Sequence, residues 1–354
     1  MRISVYIPFL LTVVLAAFAP RSARRLPPCP AAWALACVAL VTVVGWLGSL
    51  ALLAFTGLAQ MPEVAEEGRW SVSALRAADP VHLVIAVGSA LALLIASVAL
   101  AAAAVRQARH VRWARRECAR LPGDTELVVL DDDSPLAFAL PGAPGRIVVS
   151  RGMLRCLADG EREALLAHER AHLRCGHHVF QTVWRLAAAA NPLLRPLATA
   201  GDFVLKRWAD EVAARAGDRT VAARAVARAA LASTAHSSRG AALAATGGAV
   251  PQRVRALLAP PPRLRVLPFV VGGMLLGLCC ASLANAASDS EAMVDSAQYA
   301  TYAASAHRPA PGHRSGVRGD GADADERRDR MQHGQQSPVP HTGQTHEGAA
   351  VGQD

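Results

Sequence analysis

Four long apolar runs interrupt an otherwise mixed sequence, and each approaches the length that a helix needs to cross a bilayer. A span takes roughly 20 mostly apolar residues. The pattern therefore predicts four transmembrane helices. A cleaved signal peptide is the alternative for the short first run, although its dense positive charge follows the apolar region, where a signal peptide carries it in front. The runs occupy residues 4–19, 31–55, 81–105 and 266–287.

Arginine is distributed unevenly between the loops that separate these runs. Residues 20–30 carry three arginines and no acid, whereas residues 56–80 carry four acids and two arginines. Six arginines lie between residues 106 and 120, and four more precede the fourth run. Because cytoplasmic loops are rich in Arg and Lys, we expect a multi-pass plasma-membrane protein with its N-terminus outside and residues 106–265 in the cytoplasm. The basic segment is expected to face anionic lipid headgroups, and no direct nucleic-acid partner is predicted.

The region between the third and fourth runs has the pattern of one α+β domain. Short apolar stretches at residues 126–131, 136–140 and 146–150 are bounded by turn sequences and predict strands. A helix is predicted to begin near Asp159 and to continue through the sequence GEREALLAHERAHLR. The expected organisation is three transmembrane helices (1–105), a cytoplasmic domain (106–265), a fourth span (266–287) and a disordered tail (288–354).

Composition supports a membrane protein whose spans consist of Ala, Leu and Val. Hydrophobic residues make up 52% of the chain, the mean hydropathy is +0.24, and aromatic residues contribute only 5%. The formal charge of +9 is almost entirely arginine, since Lys206 is the single lysine. The seven cysteines contain no CxxC pair, so neither a disulfide framework nor a thiolate zinc site is predicted.

The predicted helix that begins near Asp159 carries the motif HExxH. His168, Glu169 and His172 lie along one stripe of this helix, which places the two imidazoles at chelating distance. A Zn²⁺ ion held by two imidazoles and a third ligand keeps a fourth position for water. The metal lowers the pKa of that water to about 7, and Glu169 can accept its proton. The motif predicts a zinc endopeptidase; the alternative is an amphipathic helix whose histidines align on a packed face.

Further segments extend the likeness beyond HExxH. The chain resembles the BlaR/MecR-type membrane metallopeptidases, an antirepressor and signal-transducer group, and more distantly the HtpX-type and CAAX-type membrane zinc peptidases. The resemblance implies a zincin-like domain inserted into a four-span, α-helical membrane protein, which cleaves a protein at the cytoplasmic face. A transcriptional repressor is one candidate substrate. The matching segments are AFALPG at 137–142, IVVSRGML at 147–154, AHERAHLR at 167–174, ANPLLRPL at 190–197 and RWADEVAARAGDR at 207–219.

The third zinc ligand departs from the pattern of this group. In the group, a glutamate lies four residues before the aspartate of an Ala-Asp pair, but here that position is Lys206 and the aspartate is Asp210. The resemblance makes Asp210 a candidate either for the third ligand or for a residue that supports a ligand histidine. Asp202 or Glu211 could substitute as the ligand. His178 lies ten residues after His168, as in HExxHxxGxxH peptidases, but residue 175 is not the glycine that turns the chain back.

A second departure concerns sensing. The β-lactam-sensing members of the group carry an extracellular penicillin-binding domain, whereas this sequence has a low-complexity tail without an SxxK serine. Direct sensing of antibiotics by acylation is therefore not expected. The alternative function is a degenerate, non-proteolytic signal transducer or partner-binding protein, and Lys206 is its main support.

Overall fold

The apolar runs form long helices that pack into a bundle. The computed structural model describes residues 4–73, 75, 83–123, 125–235, 249–261, 263 and 265–306. The bundle helices are α1 (Ile7–Ala23), α2 (Pro28–Leu58), α4 (Leu83–Arg120) and α11 (Leu267–Ala306), with a short α3 (Pro62–Gly68) after α2.

Within the described ranges, three helices are long and apolar enough to cross a membrane, namely Pro28–Leu58, Leu83–Arg120 and Leu267–Ala303. The first apolar run forms α1, a shorter helix of 17 residues. At about 1.5 Å per residue, α1 is about 25 Å long, which is less than the roughly 30 Å of the hydrocarbon core. Three spans are thus supported, and a fourth stays a prediction.

Helix α11 corrects the predicted start of the disordered tail. It continues past residue 287 to Ala306, so residues 288–306 are helical. The continuation has a packing reason, because Met293 and Ala297 are buried against Ala59 and Leu75 from the connection between α2 and α4. The carbonyl of Ala297 also accepts a hydrogen bond from the backbone N–H of Ser71. Residues 307–354 of the predicted tail lie outside the described residues.

A small sheet and a set of helices follow α4. The strands occur where the sequence predicts them, at β1 (Leu127–Leu130), β2 (Ala137–Leu140) and β3 (Arg146–Ser150). Their order is β1-β3-β2, with β3 parallel to β1 and antiparallel to β2, which leaves β2 at an edge. The helices that follow are α5 (Arg151–Arg155), α6 (Asp159–Arg174), α7 (His177–Ala190), α8 (Arg195–Ala216), α9 (Arg219–Ala235) and α10 (Ala249–Leu258).

Helices α7 and α8 share one hydrophobic core with α1 and α2. Trp184 of α7 is fully buried in this core together with Leu197 and Val204 of α8 and Leu35 of α2. Phe180 of α7 packs edge-on against Trp33 of α2, with 4.9 Å between the ring centroids. The helices that line the candidate site therefore rest directly on the first helices of the bundle.

Gly201 permits the close approach of α8 to Trp184. A Cβ atom at residue 201 would lie only 2.7 Å from Cε2 of the Trp184 indole. The indole is fully buried, so it has no free space into which it could move. We expect Gly201→Ala to lower the free energy of unfolding by about 1–3 kcal/mol through overpacking. Thermal unfolding in detergent measures the effect. Gly160→Ala is the control, since its Cβ meets only Val221 at an ordinary 3.5 Å, and an equal loss in both variants would contradict the prediction.

Candidate metal centre

Helix α6 carries the HExxH motif, and both of its ends are held in place. At the start, Glu161 accepts a hydrogen bond from the backbone N–H of Ala158 at 3.0 Å and pairs with Arg228 of α9 at 2.8 Å. The helix thus begins at the predicted Asp159, which is its first residue. At the other end, Gly176 adopts a left-handed conformation with φ of +61°, which glycine tolerates without a steric cost. This turn directs α7 back along the site.

The two motif histidines converge as the sequence predicts. Nε2 of His168 and Nε2 of His172 are 3.3 Å apart. A tetrahedral zinc with Zn–N bonds of about 2.0–2.1 Å places two bound nitrogens about 3.3–3.4 Å apart. The spacing of these two nitrogens therefore fits two ligands of one zinc ion.

Each of these rings is supported through its other nitrogen. Nδ1 of His168 lies 3.0 Å from Oδ1 of Asp210, a close contact whose angle departs from a well-directed hydrogen bond. Nδ1 of His172 lies 2.8 Å from Nδ1 of His177. Metal-binding histidines generally use their second nitrogen in this way, which orients the ring and selects the tautomer. Both Nε2 atoms are thereby available to one metal ion.

Asp210 is held by an ion pair from α10. Arg253 donates two hydrogen bonds to the Asp210 carboxylate, from Nε at 2.7 Å and from Nη2 at 2.6 Å. Burial would raise the pKa of Asp210, whose side chain is 2% exposed, but the interactions with Arg253 and His168 outweigh burial and lower the pKa to about 2. Asp210 is therefore an ionised partner of His168 and Arg253, and of its two predicted roles these contacts favour support of a ligand histidine.

Glu169 points toward the edge strand β2. Its burial raises the pKa of the carboxyl group, while His168, Arg253 and a hydrogen bond from the backbone N–H of Ala139 act in the opposite direction. A carboxylate with a raised pKa is better matched to taking up and releasing a proton near neutral pH. The placement of Glu169 beside both histidines agrees with the role of general base that the motif predicts.

The other candidate ligands are engaged elsewhere. Asp202 accepts a hydrogen bond from Nε1 of Trp184 at 3.2 Å, and Glu211 makes a two-point ion pair with Arg219. Lys206 lines the cavity in front of the histidines, as do Asp210 and Arg253. In the described part of the chain, no three His, Cys, Asp or Glu side chains are placed so that they could hold a metal ion together. Two imidazoles thus fit zinc, and a third protein ligand is not found among these residues.

Sequence reasoning did not distinguish His177 from His178 as a residue that supports the site, and the structure does. His177 is 1% exposed, and its ring stacks obliquely on Trp208 of α8 with 4.9 Å between centroids. Because the helix ends before residue 175 and the turn falls on Gly176, His177 contacts His172. His178 is half-buried and lines one cavity together with His177 and His172.

Two cavities flank the HExxH helix and share Ala137, Glu169 and His172 in their walls. The first has a volume of about 360 Å³ and lies between α6, α8 and α9. The second has a volume of about 330 Å³ and lies between β2, α4 and α7. The candidate catalytic residue Glu169 and the edge-strand residue Ala137 thus face cavities on both sides of the helix.

This arrangement can be compared with known protein families. Residues 101–201 match Peptidase family M48. M48 peptidases are zinc metallopeptidases, so the match supports a metallopeptidase domain in a protein with membrane-spanning helices. The matched segment contains the HExxH helix and β1 to β3, and it ends before Lys206 and Asp210. No curated protein and no solved structure was found to match the chain.

The ion pair between Arg253 and Asp210 gives a first prediction for the M48-like site. Arg253→Gln leaves a buried carboxylate without its partner, which we expect to cost about 3–5 kcal/mol of stability. Asp210 would remain but lose the two hydrogen bonds that position it beside His168, which should weaken zinc binding by about tenfold in a competition titration with a chelating dye. Arg255→Gln removes an exposed charge two residues along the same helix and should retain wild-type affinity. Equal weakening in both variants would rule out the proposed support.

The buried histidines predict a pH dependence of stability in the metal-free protein. Burial, followed by the neighbouring His168, lowers the pKa of His172 to about 3 and that of His177 to about 4, from an ordinary 6.5. The unfolded chain therefore binds more protons below pH 6.5, so stability is complete above that pH and falls as the pH is lowered toward 4. The thermal unfolding midpoint in detergent should fall between roughly pH 7 and pH 5.

The variant His177→Gln should reduce this pH dependence, because it removes one of the two depressed imidazoles. The comparison also separates the histidines from Glu169, whose raised pKa acts in the opposite direction. A wild-type midpoint that does not change over this interval of pH would contradict the prediction.

Proposed function

We propose that the protein is an integral-membrane, zinc-dependent endopeptidase that cleaves a protein substrate at the cytoplasmic face. The observation that carries the proposal is the pair of Nε2 atoms of His168 and His172, 3.3 Å apart, with each ring supported through Nδ1. Zn²⁺, when bound, would act as a Lewis acid and lower the pKa of a bound water. A histidine pair that served only to fill a packed face would not need this convergence.

Each side chain of the site would have a distinct role. His168 and His172 would hold the metal, and Asp210 and His177 would keep their rings oriented. Donation of the Nδ1 proton from His172 to His177 leaves the lone pair of Nε2 directed into the site. Glu169, beside the metal position, would take up the proton of the attacking water and pass it to the leaving amine. The edge strand β2 would align an extended peptide along the cleft.

The identity of the substrate and the orientation in the membrane are part of the proposal. The arginine-rich segment at the end of α4 supports a cytoplasmic site, because Lys and Arg concentrate on that side. The resemblance to BlaR/MecR-type peptidases supports a regulatory role, with a transcriptional repressor as the candidate substrate. The site lies next to the membrane, since α7 and α8 pack directly on α1 and α2.

A non-proteolytic signal transducer is the second candidate, and one observation favours it. Lys206 lines the cavity at the position where related peptidases carry a zinc-binding glutamate, and its positive charge would oppose a metal ion. Such a protein would use the same cleft to bind a partner without hydrolysing it. The two candidates differ in whether they bind zinc and in whether they cleave.

Metal analysis and a cleavage assay on the full-length protein in detergent distinguish the candidates. A peptidase should hold close to one zinc per chain, lose it in His172→Ala, and retain zinc but lose cleavage of a fluorogenic peptide library by at least about 100-fold in Glu169→Gln. Lys206→Glu should raise zinc affinity by supplying the missing carboxylate. Absence of stoichiometric zinc in the wild type together with its appearance in Lys206→Glu would favour the non-proteolytic candidate.

A further inference from the structure

Lys206 is a cation that the chemistry of the site does not use. It lies on α8 and lines the same cavity as His168 and Glu169, and it is the single lysine of the chain. Its side chain is exposed, and no ion pair to it is found in the part of the chain that the structure describes. Its ammonium group is therefore open to an incoming molecule.

The acids on the same face of α8 are already occupied. Asp202, one turn before Lys206, accepts the indole hydrogen bond of Trp184. Asp210, one turn after it, receives both hydrogen bonds of Arg253 and is 2% exposed. Since these neighbouring carboxylates have their own partners, the charge of Lys206 has no counterpart on its own helix.

The wall of the cavity formed by α9 is apolar and is lined by small side chains. One face of α9 presents methyl groups at the helical spacing i, i+3, i+4, i+7 and i+8. The volume of about 360 Å³ falls within the range of roughly 300–1,000 Å³ that is typical of ligand sites. Apolar walls beside one uncompensated cation favour a ligand with an apolar group next to a single negative charge. The residues on this face are Ala222, Ala225, Val226, Ala229 and Ala230.

We propose that Lys206 binds a carboxylate of the peptide substrate, next to an apolar side chain that packs on the α9 wall. This inference rests on the proposed peptide-binding function of the cleft and names the class of substrate. The carboxylate has two possible sources, an Asp or Glu side chain or the free C-terminus of a peptide. Both would form the same charge-assisted hydrogen bond with the ammonium group.

A binding experiment tests the proposal independently of cleavage. The full-length chain carrying Glu169→Gln is titrated in detergent with two fluorescent peptides that end in an amide, one with a central Leu-Glu pair and the other with a central Leu-Gln pair. A third peptide ends in Leu-Gln and carries a free carboxylate. One charge-assisted hydrogen bond should strengthen binding by about tenfold or more, as measured by fluorescence anisotropy. If the Leu-Glu amide binds more tightly than the Leu-Gln amide, the source of the carboxylate is an acidic side chain. If the peptide with the free carboxylate binds more tightly than the Leu-Gln amide, the source is the C-terminus.

Variants at residue 206 assign the preference to the lysine. Lys206→Met keeps the length of the side chain without its charge and should abolish the preference for a carboxylate, while Lys206→Arg should retain it. Arg195→Met removes an exposed positive charge from the start of the same helix and is the control for general electrostatic attraction. Equal loss of the preference in Lys206→Met and Arg195→Met, or equal affinity of the parent chain for all three peptides, would overturn the proposal.

The single lysine allows a second readout. An amine-acylating reagent can modify only Lys206 and the N-terminus, and mass spectrometry quantifies each site separately. The peptide that carries the preferred carboxylate should slow acylation of Lys206 at least severalfold and leave the N-terminus unaffected. Unchanged acylation of Lys206 at saturating peptide would contradict the proposed contact.

The experiment separates this proposal from the proposed function. Suppose that the wild-type chain holds zinc and prefers a carboxylate through Lys206, but cleaves no peptide. The proposed carboxylate site would then stand, and the proposed peptidase function would be refuted. Zinc-dependent cleavage without a preference for carboxylates would do the reverse. Absence of binding by both carboxylate-bearing peptides would overturn the proposal for Lys206.

Discussion

The buried carboxylate of Asp210 is the interaction on which the candidate site depends. It lies on α8, contacts His168 of α6 and receives two hydrogen bonds from Arg253 of α10, so one charge connects three helices. A buried charge is tolerated only when it is paired, and the removal of one partner is strongly destabilising. The position of the His168 imidazole is therefore coupled to the packing of α10, a helix that comes much later in the chain.

The second imidazole is supported from the side of the helical bundle. His177 contacts His172 and stacks on Trp208, and the helix that begins at His177 contributes Phe180 and Trp184 to the core shared with α1 and α2. The two halves of the histidine pair are thus held by different parts of the molecule, one by a buried ion pair and the other by the bundle. A displacement of the bundle helices would be transmitted to His172 through this short α7 segment.

The residues that indicate zinc chemistry lie on α6, whereas Lys206 lies on α8. The match to Peptidase family M48 covers the helix with both histidines and Glu169, and the spacing of the Nε2 atoms agrees with a zinc site. Lys206 lies outside the matched segment, on a helix that continues beyond it. A substrate carboxylate bound at Lys206 would reduce the repulsion between the ammonium group and a metal in the same cavity, because it would lie between two positive charges.

Local patterns in the sequence determined the long apolar helices, the three short strands and the stripe of His168, Glu169 and His172, because these depend on periodicity and spacing within a few turns. The partners of those histidines were decided by tertiary structure. Arg253 is one of many arginines in the chain, and nothing near it in sequence indicates a buried aspartate. His177 contacts His172 because the chain turns at Gly176, and the spacing of the histidines in the sequence does not specify that contact. The helical extension to Ala306 likewise depends on packing against Ala59 and Leu75. These contacts join residues that are far apart in the chain, so local composition does not predict them.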